Sequence, residues 1–264
     1  MPTWLMVSTS LLALLSLTAL FLFSVTRGAL LWRAMVHRNR GQADHVYPIY
    51  SNMHLIRWID FQPIFAAILL FQYDRLVNHI VTGLRNTDMR AKKALITSCA
   101  FGNVMPRVVA AAIGAGARKV QVADIVPNEL THAQKKLMAF GDHLDYFAQD
   151  ATQLQFPDAS VSANVMFFLL HELPHHLKAQ CLREAIRVLE PGGKLYLAEF
   201  HRPDSWLLRA MSWTYFKVFE PLGLALWDTH DPMRLLASLG GLSCERHTLF
   251  LGNFQIIVAT KGPA

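Results

Sequence analysis

The sequence predicts an α/β fold: a mostly parallel sheet with helices on both faces, closed by an antiparallel hairpin and preceded by an N-terminal transmembrane helix. Three observations predict it. Strand-like and helix-like stretches alternate from Ala94 onward. The tail holds two strand-like runs joined across Gly252-Asn253. Near the start, Trp4 to Phe23 is a run of twenty residues without a charge. The chain has 264 residues, 53% hydrophobic and 17% charged, which excludes a disordered, collagen-like or coiled-coil protein. Three scattered cysteines, Cys99, Cys181 and Cys244, exclude a disulfide scaffold and fit a reducing compartment.

The elements follow in order. As a helix, Trp4–Phe23 would be roughly 30 Å long, the thickness of a hydrocarbon core. No Lys or Arg precedes it, and it exceeds the about 7–15 apolar residues of a signal peptide. A buried core helix and a cleaved signal are the alternatives. Arg27, Arg33, Arg38 and Arg40 follow, so the positive-inside bias predicts a single-pass protein of the inner (cytoplasmic) membrane with its bulk facing the cytoplasm. The net charge of +6 is assigned to this juxtamembrane cluster on anionic lipid. With no Lys/Arg-rich run elsewhere, no nucleic-acid partner is expected. The chain therefore divides into an anchor (1–26), a helical juxtamembrane segment (27–90) and an α/β domain (91–264) with an apolar insert (205–230).

Within the domain, Ala94–Ala100 reads as a strand, Pro106–Ile113 as a helix and Lys119–Asp124 as a strand. A helix from about Pro127 to Phe140 comes next, then the strand-like Leu144–Ala148. Val161–Leu170 is nearly all apolar, as a strand buried on both faces should be. A helix from about His175 to Leu189 ends at Glu190-Pro-Gly-Gly193, read as a stop and turn before the strand Lys194–Phe200. Ser205–Trp227 carries six aromatics and three charges, the composition of a helix buried in protein or lying at a lipid interface. Leu242–Leu251 and Phe254–Thr260 form the closing hairpin.

In such a sheet ligands bind beyond the carboxyl ends of the strands, so the loops there are the ones to read. Ser98, Cys99, Gly102 and Asn103 form the first, where Gly102 allows close backbone approach. Asp124 ends the second strand with Ile125 beside it, and a carboxylate there can accept from two ribose hydroxyls. Asp150, next to Ala151, follows the third and can hold an exocyclic amine. Together they predict a nucleoside-type cofactor. Gly114-Ala-Gly116 is not a dinucleotide fingerprint, because it follows a helix and precedes a strand. His171-Glu-Leu-Pro-His175 matches a zinc-protease pattern, but Pro174 breaks the helix that chemistry needs. His171 at a strand end instead reads as a base or as a group that orients a polar substrate, with Glu199 and His201 alternating toward the same pocket mouth.

Asp124, Asp150 with Phe156-Pro-Asp158, and Arg187-Val-Leu-Glu-Pro-Gly-Gly-Lys194 resemble the class I S-adenosylmethionine-dependent methyltransferases of the ubiquinone/menaquinone-biosynthesis type, with a Rossmann-like fold. Phe167-Phe-Leu-Leu-His-Glu-Leu-Pro174, Phe200-His-Arg-Pro203, Glu220-Pro221, Leu226-Trp227 and Gly252-Asn-Phe-Gln255 resemble the rhodoquinone biosynthesis methyltransferase family. The resemblance covers about residues 73–260. It implies S-adenosylmethionine as cofactor, manganese as a helper and a lipophilic quinone as substrate. This chain has Phe101-Gly-Asn103 where that family shows Tyr-Gly-Asp, and Glu199-Phe-His201 where it shows Asp-Tyr-His.

The resemblance implies a transferase in which Ser98, Cys99, Gly102, Asn103, Asp124, Ile125, Asp150 and Ala151 bind the cofactor, and the uncharged run Trp4–Phe23, which is extra to the family's pattern, adds a membrane anchor. His171, Glu199 and His201 would line the reacting site, and no metal ligands are assigned. The alternatives are an O- or C-methyltransferase on another lipid phenol, and a non-catalytic cofactor-binding module at the membrane.

Overall fold

A computed structural model describes residues 8–17, 50 and 52–263. Seven strands form one sheet in the order β3-β2-β1-β4-β5-β7-β6, where β1 is Lys93–Thr97, β2 Lys119–Asp124, β3 Leu144–Ala148, β4 Val161–Phe167, β5 Leu189–Phe200, β6 Leu242–Leu249 and β7 Phe254–Lys261. The first five run parallel, and β7 lies antiparallel between β5 and β6. Strand order reverses between β1 and β4, the switch point at which α/β sheets open a crevice. The registers Thr97↔Ala123 and Thr97↔Met166 bring the ends of β1, β2 and β4 to one level.

The described helices are α1 (Met53–Ile59), α2 (Gln62–Ile68), α3 (Tyr73–Arg85), α4 (Val104–Gly114), α5 (Pro127–Lys136), α6 (His175–Arg187), α7 (Trp206–Phe219) and α8 (Pro232–Leu239), besides residues 8–17. Leu76, Val77, Ile80, Val81 and Leu84 of α3 recur at helical spacing, and that stripe packs with α4 and α5 on one face of the sheet. Cys181, Leu182, Ala185 and Ile186 of α6 join Leu236 of α8 on the other face. All seven residues of β4 are buried between the two cores, Ser162 and Asn164 among them, which is why that strand reads as largely apolar.

Some elements differ from the expectation. β5 starts at Leu189, five residues before the expected Lys194. Leu189 pairs with Val161, the register then shifts, and pairing resumes at Ala163↔Lys194. Pro191-Gly-Gly is therefore a bulge inside a strand, with Gly192 at φ +79° taking up the extra length. Ser205–Trp227 is two elements, because Pro221 has no N–H to continue α7 and opens a short 3₁₀ helix, Pro221–Trp227. On α7, Leu208 and Phe216 are buried, whereas Trp206, Leu207, Met211 and Trp213 are exposed.

Residues 27–49 and 51 of the expected juxtamembrane segment, and the ends of the expected transmembrane helix, lie outside the described residues, while the rest of that segment holds α1, α2 and α3. The described part of the latter, 8–17, is helical with its leucines exposed. Among the described residues no helix is long and apolar enough to cross a membrane.

Candidate active site

The turn after β1 is bent sharply. Ser98 takes φ +71°, a left-handed conformation that costs a residue with a Cβ about 1–2 kcal/mol. Asp124 at the end of β2 holds that turn. One of its oxygens, Oδ2, accepts from the Cys99 N–H at 2.6 Å and the Ser98 hydroxyl at 3.2 Å. The other, Oδ1, accepts from the Val126 N–H at 2.7 Å. Burial pushes the Asp124 carboxyl up and these donors pull it back. With three donors on it and the Cys99 thiol beside it, Asp124 first shapes the loop.

The same loop is fixed by residues distant in sequence. Gly102 N–H donates to Asp60 Oδ1 at 2.7 Å. Lys136 Nζ donates to that oxygen at 2.6 Å and to the Ala100 carbonyl, and His132 Nε2 donates to Asp60 Oδ2 at 2.8 Å. Tyr73 Oη donates to the Phe101 carbonyl and accepts from the Val104 N–H. Tyr50 stacks on Phe101, takes a bond from Asn128 at its carbonyl, and donates its hydroxyl to Glu172 at 2.5 Å. Asn103 opens α4 at the surface. Cys99 is half-buried, and burial with Asp124 nearby pushes its thiol well up, which is the wrong direction for a nucleophile.

After β3, Asp150 Oδ1 accepts from the N–H and hydroxyl of Thr152. Ile125 and Ala151 are partly exposed beside the ends of β2 and β3. These residues thus line one edge of the sheet in the expected order.

His171 and Glu199 meet at the ends of β4 and β5. His171 Nδ1 donates to Glu199 at 3.0 Å, and the backbone N–H groups of His171 and Phe200 donate to the same carboxylate. Glu199 is 0% exposed. Burial pulls the His171 imidazole down, but the charge and hydrogen bond of Glu199 outweigh it and raise the group to about 9. His171 Nε2 lies 4.0 Å from Glu172. Burial pushes Glu172 up to about 8. The loop carrying His171 is held from below by Lys178, a fully buried lysine of α6 that donates to the carbonyls of Leu170 and Leu173.

His201 is not brought to this pair. β5 ends at Phe200, and the chain then turns toward β7. His201 Nδ1 donates to the Gly252 carbonyl at 2.7 Å, and Arg246 approaches its Nε2 at 3.3 Å, so both ring nitrogens are engaged with the closing hairpin. His175 and His176 start α6 behind Pro174, off any helix shared with His171, so the zinc-protease pattern is not assembled. No motif in the sequence marks Tyr50, Asp60, Glu129 or Lys178, and Glu172 stands in the sequence only inside the rejected zinc-protease pattern and the Phe167–Pro174 motif. For Glu129 and Lys178 a signal existed: each is a charge among the buried positions of its helix, Glu129 beside Leu130 and Ala133, and Lys178 beside Cys181 and Leu182.

The family model described as the ubiE/COQ5 methyltransferase family matches residues 62–239. Among curated relatives, the ubiquinone/menaquinone biosynthesis C-methyltransferase UbiE of Ectopseudomonas mendocina is 32% identical over 134 residues, covering 50% of this chain and 52% of that protein. The chain thus spans about half the length of the curated relatives it matches. Among solved structures, the CurJ carbon methyltransferase superposes with a TM-score of 0.63 at 16% identity, covering 97% of this chain and 71% of that one. An O-methyltransferase family protein from Burkholderia thailandensis gives 0.62 at 15%, covering 81% and 62%. At such identities these two similarities show the fold, a class I Rossmann-like methyltransferase sheet.

Proposed function

Because the chain belongs to the ubiE/COQ5 methyltransferase family, we propose that it is an S-adenosylmethionine-dependent methyltransferase acting on a lipophilic quinone-type acceptor at a membrane. One observation carries the acceptor class. Packed rings connect the surface near Trp227 to His171: Trp227 to Phe216 at 5.7 Å, Phe216 to Phe200 at 4.9 Å, and Phe200 to His171 at 5.1 Å. At its outer end Trp206, Trp213, Trp227, Arg202 and Arg209 line a cavity of ≈ 380 Å³. A tryptophan-lined cavity of this kind suits the apolar tail of a quinone-type acceptor. The membrane part of the proposal rests on the uncharged run Trp4–Phe23 and the arginines after it.

The residues present fit the cofactor. Asp124, Glu129 and Glu172 act on one another electrostatically near the strand ends, where a positive ligand would relieve their repulsion. The Ser98–Asn103 loop would border the methionine part, Asp124 would hold a ribose hydroxyl, and Asp150 the adenine amine, with Ile125 and Ala151 alongside. Bound S-adenosylmethionine supplies a methyl group already activated by the sulfonium charge. The chain's residues then have to align donor and acceptor, exclude water and manage the acceptor's proton. With its group raised to about 9, His171 is an imidazolium at neutral pH. It serves as a cationic partner that stabilises an acceptor oxyanion, while Glu199 positions the ring.

The similarity to rhodoquinone enzymes is carried to the acceptor and not to amination. Phe200 packs its ring among Phe168, Phe216 and Phe254, where that family's pattern has a tyrosine hydroxyl. Among the described residues no group of three or more His, Cys, Asp or Glu is gathered to hold a metal ion. The described residues therefore offer no ligand set for manganese.

A short-chain ubiquinone analogue titrated into the full chain in detergent is expected to quench tryptophan fluorescence saturably. Trp227→Leu should weaken the saturable part. Quenching that stays linear with quinone and is identical in the variant would contradict binding at this cavity.

A further inference from the structure

Glu129 sits in the first turn of α5 and is 4% exposed. Its Oε1 is buried and has no hydrogen-bond partner. Such an atom costs on the order of 1–3 kcal/mol, so a folded protein rarely leaves one without a use. The charged groups that act on it are Asp124, Glu172 and Asp60, with Lys136 opposing them. Glu129 in turn acts on Cys99 and Tyr50. All of these gather around the carboxyl ends of β1, β2 and β4. The only base among them, Lys136, is already committed to Asp60 and the Ala100 carbonyl. The first strand and its turn, Lys93–Gly102, contain no acidic residue.

We infer that Glu129 is the anionic receptor for the positive charge of the cofactor, supplying from the helix after β2 a carboxylate that the first strand and its turn lack. The inference rests on the cofactor reading above and names the residue that selects for its charge. Without a cation, the carboxyl is relieved by keeping a proton, since burial followed by Asp124 and Glu172 pushes it up to about 9. Arrival of a cation reverses that balance, so the proton leaves as the ligand binds.

The test is calorimetric binding to the full chain at neutral pH, using S-adenosylmethionine and the uncharged 5′-methylthioadenosine. Glu129→Gln is expected to weaken S-adenosylmethionine by about tenfold to a hundredfold, the range for a charge-assisted hydrogen bond. Methylthioadenosine affinity should be unchanged. The buffer dependence of the binding enthalpy should show proton release in the wild type that Glu129→Gln lacks. Glu129→Met should melt at a higher temperature than the wild type, yet bind S-adenosylmethionine more weakly. Equal loss of both ligands, or wild-type binding of S-adenosylmethionine by Glu129→Gln, would overturn the inference and leave the cofactor reading standing. A wild type that binds neither ligand would overturn both.

Discussion

Replacing Glu199 by Gln is expected to slow methyl transfer by about 10²- to 10⁴-fold, the usual reach of a proton-managing group, while cofactor affinity stays unchanged. The carboxylate is fully buried and accepts from His171 Nδ1, the His171 N–H and the Phe200 N–H. Glutamine keeps the shape but loses the charge that holds the proton on His171. Breaking a buried pair from one side also destabilises the fold by about 3–5 kcal/mol. The pH dependence gives a readout that a purely structural role would not move. Because the folded group is raised from 6.5 to about 9, the stability it contributes is fully present below about pH 6.5 and is lost as pH rises through about 9. The rate should fall across the same upper limb, and Glu199→Gln should move that limb to lower pH. An unmoved limb with normal turnover would remove His171 and Glu199 from the reacting site.

Asp124→Ala carries the second large effect. It strands the Cys99 and Val126 N–H groups, at on the order of 1–3 kcal/mol each. It also frees the Ser98 turn from the bonds that hold its left-handed backbone. Melting temperature and S-adenosylmethionine affinity should fall together, the affinity by roughly tenfold or more. Ser98→Ala removes one weaker bond at 3.2 Å and should have a much smaller effect on both. Unchanged affinity in Asp124→Ala would show that the turn after β1 does not face the cofactor.

Both sites were partly legible because their key residues fall at strand ends. A buried strand announces itself by short apolar runs such as Val161–Phe167, and its end marks where a ligand can sit. Asp124, Asp150, His171 and Glu199 could be placed that way. His201 could not, since two-residue alternation holds only while a strand continues, and β5 stops at Phe200. The early start of β5 was hidden for a related reason: Pro-Gly-Gly spells a turn in isolation, and only pairing with Val161 makes it a bulge. The walls of the site were the least legible part. Tyr50 and Asp60 reach Glu172 and Gly102 across 122 and 42 residues, and no local pattern encodes such contacts. Glu129 and Lys178 did leave a trace, as charges on helix faces that are otherwise apolar.

Methyl transfer from S-adenosylmethionine to a lipophilic quinone is proposed at the ends of β1, β2, β4 and β5. Its most direct measurement supplies membranes containing the full chain with S-adenosylmethionine labelled in its methyl group. The quinone pool is then followed by mass spectrometry. A labelled methyl is expected in a hydrophobic quinone, formed by the wild type and strongly reduced in Glu199→Gln. An aminated quinone lacking a methoxy group, label in a different lipid phenol, or an unlabelled pool despite bound S-adenosylmethionine would each contradict it.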